Sequence, residues 1–210
     1  MANHPPRKIP TYWEEAKRYL SERDEVLRAL IETYPEPPLR SRGDIFQTLI
    51  HSIVGQQISV AAAESIWKRL VSLVEVVEPE NILARTEDEL RSVGLSGRKV
   101  SYIRGLAAEG RWVIDHDWAQ ETDAEASKKL CALRGIGPWT ANMILLFVLL
   151  RPDILPLGDV ALVRAMQERY VDGKKLSKPE LEALGARWAP YRTVATWYLW
   201  RGLDPEPIEY

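Results

Sequence analysis

Apolar residues recur every three to four positions through nearly all of the chain after Pro10, the spacing that lines one face of a helix. Trp13 to Leu20 and Asp24 to Ile31 form the first two such segments, and "YPEPPLRSRGD" separates them from the next. Glu14, Glu15 and Asp24 read there as charged, solvent-facing positions. Ile45, Leu49, Ile50 and Ile53 carry the spacing on until "GQQIS" interrupts it. "VAAAESIWKRLVSLV" resumes it behind Ser59, which is placed as an N-cap. Thr86 with Glu89, Thr122 with Glu125 and Ser177 with Glu180 have the spacing of capping boxes, in which hydroxyl and carboxylate satisfy first-turn amides reciprocally. Gly94 ends the short helix "EDELRSV", and Pro179 suits a first helical turn. "GRKVSYIRGLAAEGRWVI" reads as one longer helix with Val100, Ile103, Leu106 and Ala107 on a single face. "SLVEVVEPE" is the one ambiguous β-branched patch, but Pro79 and its acidic neighbours leave no partner strand, so it reads as a helix end and a loop. The pattern predicts an all-α protein of about ten helices with short connections.

The tightest turn is "LRGIGPWTA", Leu133 to Ala141. Leu130, Leu133 and Ile136 pack between the two helices it joins. Gly135 and Gly137 let the chain turn sharply and approach another surface without a Cβ in the way. Pro138 starts the second helix, where its missing N–H is no loss. The amides of Gly137, Trp139 and Thr140 are then exposed at a helix N-terminus, a ready site for phosphate. A plain helix connector has the same Gly-Pro punctuation, and this turn alone does not separate the two readings.

Composition narrows the classes. The 28 basic residues nearly balance the 30 acidic ones, so no whole-protein field draws the chain toward nucleic acid, although a local basic face fits the numbers. Cys131 is the single cysteine, which excludes an intramolecular disulfide and any all-cysteine zinc or iron–sulfur site. His4, His51 and His116 have no metal-ligand spacing. "MILLFVLL" is too short to cross a bilayer, and "MANHPPRKIP" lacks the apolar core of a signal peptide, so a reduced, cytoplasmic, soluble protein is expected. Eight tryptophans and eight tyrosines supply flat surface for stacking as well as for packing.

Four ordered segments carry a resemblance. "KKLCALRGIGPWTANMILLFVLL" resembles the helix–hairpin–helix of DNA base-excision glycosylases. "RPDILPLGDVALVRAMQERY" resembles the same superfamily's Gly/Pro-rich loop and aspartate, and "IVGQQIS" its stretch between early helices. "WAPYRTVATWYLWRG" is similar to the closing helix of the alkylpurine branch. The likeness spans Asp44 to Gly202 and implies two helical subdomains flanking a DNA-binding cleft. It implies three parts: residues 1–43 packing with the C-terminal subdomain, residues 44–150 ending in the hairpin from about 124, and residues 151–210 with the aspartate loop and last helices. Trp139 stands where the bifunctional branches carry a lysine nucleophile, so the resemblance implies base removal without strand cleavage. Neither a four-cysteine loop nor an N-terminal mixed α/β domain is expected. In these respects the chain resembles the compact form of the 3-methyladenine glycosylase II family.

The resemblance assigns Asp159 to stabilise the positive charge that develops on deoxyribose as a base departs. An aspartate before "VALVRAM" is also a good N-cap, and the two roles are compatible. Gln57 is expected to fill the gap left by an everted base, with Gln56 turned inward, unless both only tie loop carbonyls together. Trp139, Met143, Trp200 and Tyr191 are expected to line a π-rich pocket suited to a cationic alkylated purine, while Trp13, Trp67, Trp112, Trp118 and Trp188 read as packing. Gly135, Gly137, Thr140, Arg98 and Lys99 are the candidate phosphate contacts. The family pattern also implies a structural monovalent cation, sodium or potassium, on the carbonyls of Cys131, Leu133 and Gly135, with no cofactor for catalysis. The expected partner is damaged double-stranded DNA, bound by a monomer without an obligate protein partner. Two other readings stand beside this one: a non-catalytic DNA-binding module, and an oxidised-purine glycosylase/lyase, against which Trp139 argues.

Overall fold

The computed structural model describes residues 8–204, and among them every regular element is helical, with no β-strand. In chain order they are α1 (Trp13–Arg23), α2 (Glu25–Thr33), α3 (Ile45–Gly55), α4 (Val60–Val74), α5 (Pro79–Leu83), α6 (Glu87–Ser92) and α7 (Gly97–Ala108). Then follow α8 (Gly110–Asp115), a 3-10 turn at Trp118–Gln120, α9 (Asp123–Ala132), α10 (Pro138–Phe147), α11 (Val160–Tyr170), α12 (Lys178–Ala186) and α13 (Arg192–Leu203). None is long and apolar enough to cross a membrane. The chain divides into two compact helical units, Met1–Gly43 with Leu145–Tyr210, and Asp44–Ile144, so it passes from one to the other within α10.

The first unit is built around α13. Every residue from Thr193 to Arg201 is buried, and "TVATWYLWR" has no polar stripe to turn toward water. α1, α2 and α11 pack against it. In the second unit α7 holds the corresponding place, packed on α3, α5, α6 and α8. The apolar face read from its spacing, Val100, Ile103, Leu106 and Ala107, is at most 2% exposed.

Local chemistry sets the helix starts. Thr86–Glu89, Thr122–Glu125 and Ser177–Glu180 all form capping boxes, and Ser59 caps α4 by accepting from Ala62 N. Two expectations need correction. "GRKVSYIRGLAAEGRWVI" is two helices, α7 and α8, broken at Glu109. Gly110 opens α8 buried so tightly against Pro79 and Phe46 that a Cβ would stand 3.0 Å from Phe46 Cε2. The segment after "SLVEVV" is not only loop, since Pro79 opens the short α5 in the first-turn position proline favours.

Asp24 is the third correction. It is 5% exposed and caps α2 through Leu27 N at 3.1 Å. Its carboxylate also accepts from Tyr170 Oη at 2.9 Å and Trp188 Nε1 at 3.1 Å, with Arg187 Nη2 at 3.6 Å. Burial, reinforced by the Asp24 charge, pushes the Tyr170 hydroxyl far above its ordinary value, so it stays a donor. The charged neighbours Glu22, Arg23 and Glu25 hide this role in the sequence, because the partners lie more than 140 residues away. Trp112 likewise departs from the packing role: it is 41% exposed and leans on His116 and Trp118.

Asp24→Ala should cost about 3 kcal/mol of unfolding free energy, because it removes a helix cap and strands two buried donors. Urea unfolding should show a lower midpoint with an unchanged slope. A loss below about 1 kcal/mol would mean the three donors do not depend on this carboxylate.

Candidate functional site

The hairpin between α9 and α10 turns at two glycines that differ in what they do. Gly135 has φ +93°, and a Cβ there would lie 2.6 Å from Cδ2 of Tyr102, so backbone conformation and packing both exclude a side chain. Gly137 has neither constraint: no atom lies within 4 Å of where its Cβ would be. Ile136 N closes the turn on Leu133 O at 3.0 Å, and Ala141 N reaches back to Gly137 O at 2.9 Å as α10 begins at Pro138. Leu130, Leu133 and Ile136 are buried as the spacing requires, and so is the Thr140 side chain, leaving its amide as the group of interest. Trp139 is 37% exposed, whereas Met143 is buried.

The "GQQIS" loop belongs to the same unit. Gln56 Nε2 donates to Gly135 O at 2.8 Å, so Gln56 turns inward and braces the hairpin. Gln57 follows in the left-handed region at φ 58°, a conformation a non-glycine residue holds at some cost, and its side chain is exposed, as are those of Ile58 and Val60. Lys99 Nζ donates to Val54 O at 2.7 Å, and partial burial holds the ammonium below its ordinary value. Arg98 remains exposed at the start of α7.

Asp159 sits in the other unit, 6% exposed, between exposed Gly158 and Val160. One oxygen, Oδ1, accepts two hydrogen bonds: Leu162 N at 2.8 Å as the cap of α11, and Trp200 Nε1 at 3.0 Å. Both suggested roles for the aspartate therefore start from one geometry, with capping fixing the carboxylate in place. Phe147 stacks on Trp200 at 5.9 Å between centroids and 9° between planes, and Arg42 stands over Phe147. Tyr191 is stacked on Tyr12 and edge-on to Tyr19 of α1.

Sequence reasoning missed what holds the loop before Asp159. Arg192 makes a bidentate pair with Asp153 at 2.7 and 2.8 Å, and Thr193 Oγ1 donates to Arg151 O while accepting from Ile154 N. The partners are about 40 residues apart and no local motif announces them.

Among the described residues no group of three or more His, Cys, Asp or Glu is arranged to hold a metal ion. The carbonyls of Leu133 and Gly135 each already accept one hydrogen bond, from Ile136 N and Gln56 Nε2. Each keeps a second lone pair, so neither carbonyl is saturated as an acceptor.

A hairpin with one packed and one open glycine in one unit, and a buried, doubly bonded carboxylate beside tryptophan in the other, can be compared with known proteins. The model of the HhH-GPD superfamily base excision DNA repair protein matches residues 50–190, which contain the hairpin and Asp159 and end before Trp200. The chain belongs to the HhH-GPD superfamily. Within it, the relatives are DNA-3-methyladenine glycosylases at large. A putative DNA-3-methyladenine glycosylase of Bacillus subtilis is 29% identical over 189 residues, covering 85% of this chain and 66% of the relative. The chain spans 57% of a second Bacillus subtilis relative, so these proteins are longer. The crystal structure of a DNA-3-methyladenine glycosidase from Bacillus halodurans matches with a TM-score of 0.80 and 36% identity over 90% of this chain and 89% of that one. The Schizosaccharomyces pombe 3-methyladenine DNA glycosylase, solved in complex with abasic DNA, matches with a TM-score of 0.77 and 25% identity over 93% of this chain and 100% of that one.

The two hairpin glycines should therefore respond differently to one methyl group. Gly137→Ala should leave the urea midpoint within about 0.5 kcal/mol of the parent yet weaken duplex binding several-fold, because the methyl faces only what approaches from outside. Gly135→Ala should lose at least about 2 kcal/mol of stability from strain and the clash with Tyr102. Filter-binding and urea titration of both variants check the contrast, and equal behaviour would refute it.

Proposed function

We propose that this HhH-GPD protein is a monofunctional DNA glycosylase that hydrolyses the N-glycosidic bond of alkylated purines in duplex DNA and leaves an abasic site. The observation that carries the reading is the Asp159 carboxylate, buried, rigidly oriented through Oδ1 and flanked by exposed Gly158 and Val160. The names of its 3-methyladenine-directed relatives support the substrate class.

Alkylation at N3 or N7 gives a purine positive charge before the enzyme acts. As the C1′–N bond breaks, its electron pair goes to the base, which leaves neutral, and positive charge passes to the sugar. Asp159 stabilises that charge and orients the water whose oxygen adds to C1′, with the proton lost to solvent. Little acid catalysis on the base is needed, since the lesion is already a good leaving group. The base must first be everted, and Gln57, held strained and exposed, is assigned to fill the gap. Trp139 offers an exposed ring for the cationic purine, and with no amine at that position no Schiff base forms with the sugar. Should a monovalent cation occupy the Leu133 and Gly135 carbonyls, it would brace the hairpin against a phosphate. The protein would act in the cytoplasm or nucleoid as a monomer, since excision of one base needs no second copy.

Incubation with alkylated duplex DNA should release free 3-methyladenine or 7-methylguanine and leave an unbroken strand with no borohydride-trapped adduct. Release of no base would overturn the reading in favour of a binding module, and a nicked strand in favour of a lyase. Asp159→Asn keeps an oxygen that can accept from both Leu162 N and Trp200 Nε1, so folding should persist while single-turnover excision falls at least ~100-fold, about 3 kcal/mol. Excision at the parent rate by that variant would reduce Asp159 to a helix cap.

Trp200→Phe keeps a ring for Phe147 to stack on but removes the N–H that holds Asp159. Single-turnover excision should fall roughly 10-fold, an effect between those of the parent and Asp159→Asn, while affinity for an abasic duplex holds. Loss of affinity without loss of rate would make Trp200 a pocket wall instead.

A further inference from the structure

Near-balanced charge makes the unpaired cations of this molecule informative. Arg111, Arg164 and Arg192 each meet a carboxylate within 2.7 Å. Several exposed arginines of the second unit do not, and two of them are held on one tyrosine ring. Arg98, in the first turn of α7, donates from Nε to Tyr102 Oη at 3.0 Å, and its Cζ lies 6.0 Å from the centre of that ring. Arg134, in the hairpin turn, donates from Nη1 to Ser101 Oγ at 3.2 Å, with its Cζ 5.6 Å from the same centre. Neither has a carboxylate partner among the described residues, and both are exposed.

Tyr102 is the part they share. Its ring is the surface against which Gly135 is packed too closely for any Cβ, so hairpin and α7 are held at a fixed spacing. The same ring and the adjacent Ser101 hold two guanidinium groups, from parts of the chain 36 positions apart, each with its Cζ no more than 6.0 Å from one ring centre. Like charges brought together without a counter-charge repel, and an anion added between them removes that cost. Planar guanidinium groups match phosphate in bidentate fashion. An isolated phosphate needs one such fork, whereas two forks beside outward hairpin amides suit successive phosphates of one strand.

We infer that Arg98 and Arg134, oriented by Tyr102 and Ser101, form a clamp for adjacent phosphodiesters of a DNA strand, independent of any lesion. The clamp rests on the DNA-acting reading above but not on its chemistry. Gly135 is then required for more than the turn, since it seats the hairpin on the ring that orients both cations. Tyr102 is a positioning residue, acting through the two arginines.

The test is the salt dependence of binding to an undamaged duplex. Each neutralised phosphate contributes about 0.9 to the slope of log K against log salt, so Arg98→Ala/Arg134→Ala should flatten that slope by roughly 2. Arg111→Ala, which removes an arginine already paired with Glu80, should leave it unchanged. Tyr102→Phe keeps the ring under Gly135 but removes the acceptor for Arg98, so its affinity should fall while its melting temperature holds. A double variant with the slope of Arg111→Ala would overturn the clamp. So would an unchanged slope with lost calorimetric binding of inorganic phosphate, which would make this a free-phosphate site. A flattened slope in a protein that releases no base would leave the clamp standing and remove the glycosylase reading, so the two fail separately.

Discussion

A carboxylate with 6% of its surface exposed has to find donors, and the way Asp159 finds them sets much of the first unit. Its Oδ1 takes the Leu162 amide, which fixes where α11 begins, and the Trp200 indole N–H, which fixes the rotation of α13 about its own axis. With Trp200 so oriented, Phe147 at the end of α10 covers one face of the indole in a nearly parallel stack. The loop leading into Asp159 cannot drift, because Asp153 grips Arg192 and Thr193 ties down Arg151 and Ile154. A helix buried on every side tolerates one rotation only, so the polar atoms on α13 and the apolar packing around it have to agree.

The hairpin obeys a different constraint, that of keeping backbone amides available. A turn packed entirely for stability would cover its polar groups. Here the inner glycine is pressed on Tyr102 and the Gly135 carbonyl is met by Gln56, so the turn is braced from within its own unit. The outer glycine packs against nothing at its missing Cβ. Gln57 keeps a left-handed backbone next to exposed Val60. Strain at Gln57 and apolar exposure at Ile58 and Val60 thus coincide in one loop, as expected of a surface shaped for a partner.

Features that depend on a few consecutive residues were legible in the sequence. Three capping boxes, the Ser59 cap and the buried face of α7 follow from spacing alone, because their physics is local. The all-α class follows from the same periodicity. The break between α7 and α8 was not legible, since it depends on Gly110 meeting Pro79 and Phe46 from other helices. Asp24 looked like a surface charge because its neighbours are charged, while the tyrosine and tryptophan that need it lie in α11 and next to α12. Trp200 was placed beside Asp159 by resemblance, but only the coordinates give the indole N–H as a donor to it. Tyr191, grouped with it on the same grounds, packs on α1 because Tyr12 and Tyr19 offer it ring faces.

Acting on DNA under this reading sets two electrostatic demands of opposite sign. The duplex is a polyanion and calls for cations, whereas the departing base calls for an anion at the sugar. A protein with 28 basic and 30 acidic residues cannot meet the first demand with its overall field. Arginines already paired with carboxylates, such as Arg111, Arg164 and Arg192, add little to it. The demand can be met by local supply, as at Tyr102, where short-range contacts act within a Debye length and need no net charge. The anion is treated in the opposite way. Asp159 is buried and hydrogen-bonded, so its charge is screened little at close range and is spread over donors that do not reorganise when positive charge appears beside it. The cations and the carboxylate belong to different compact units of the chain.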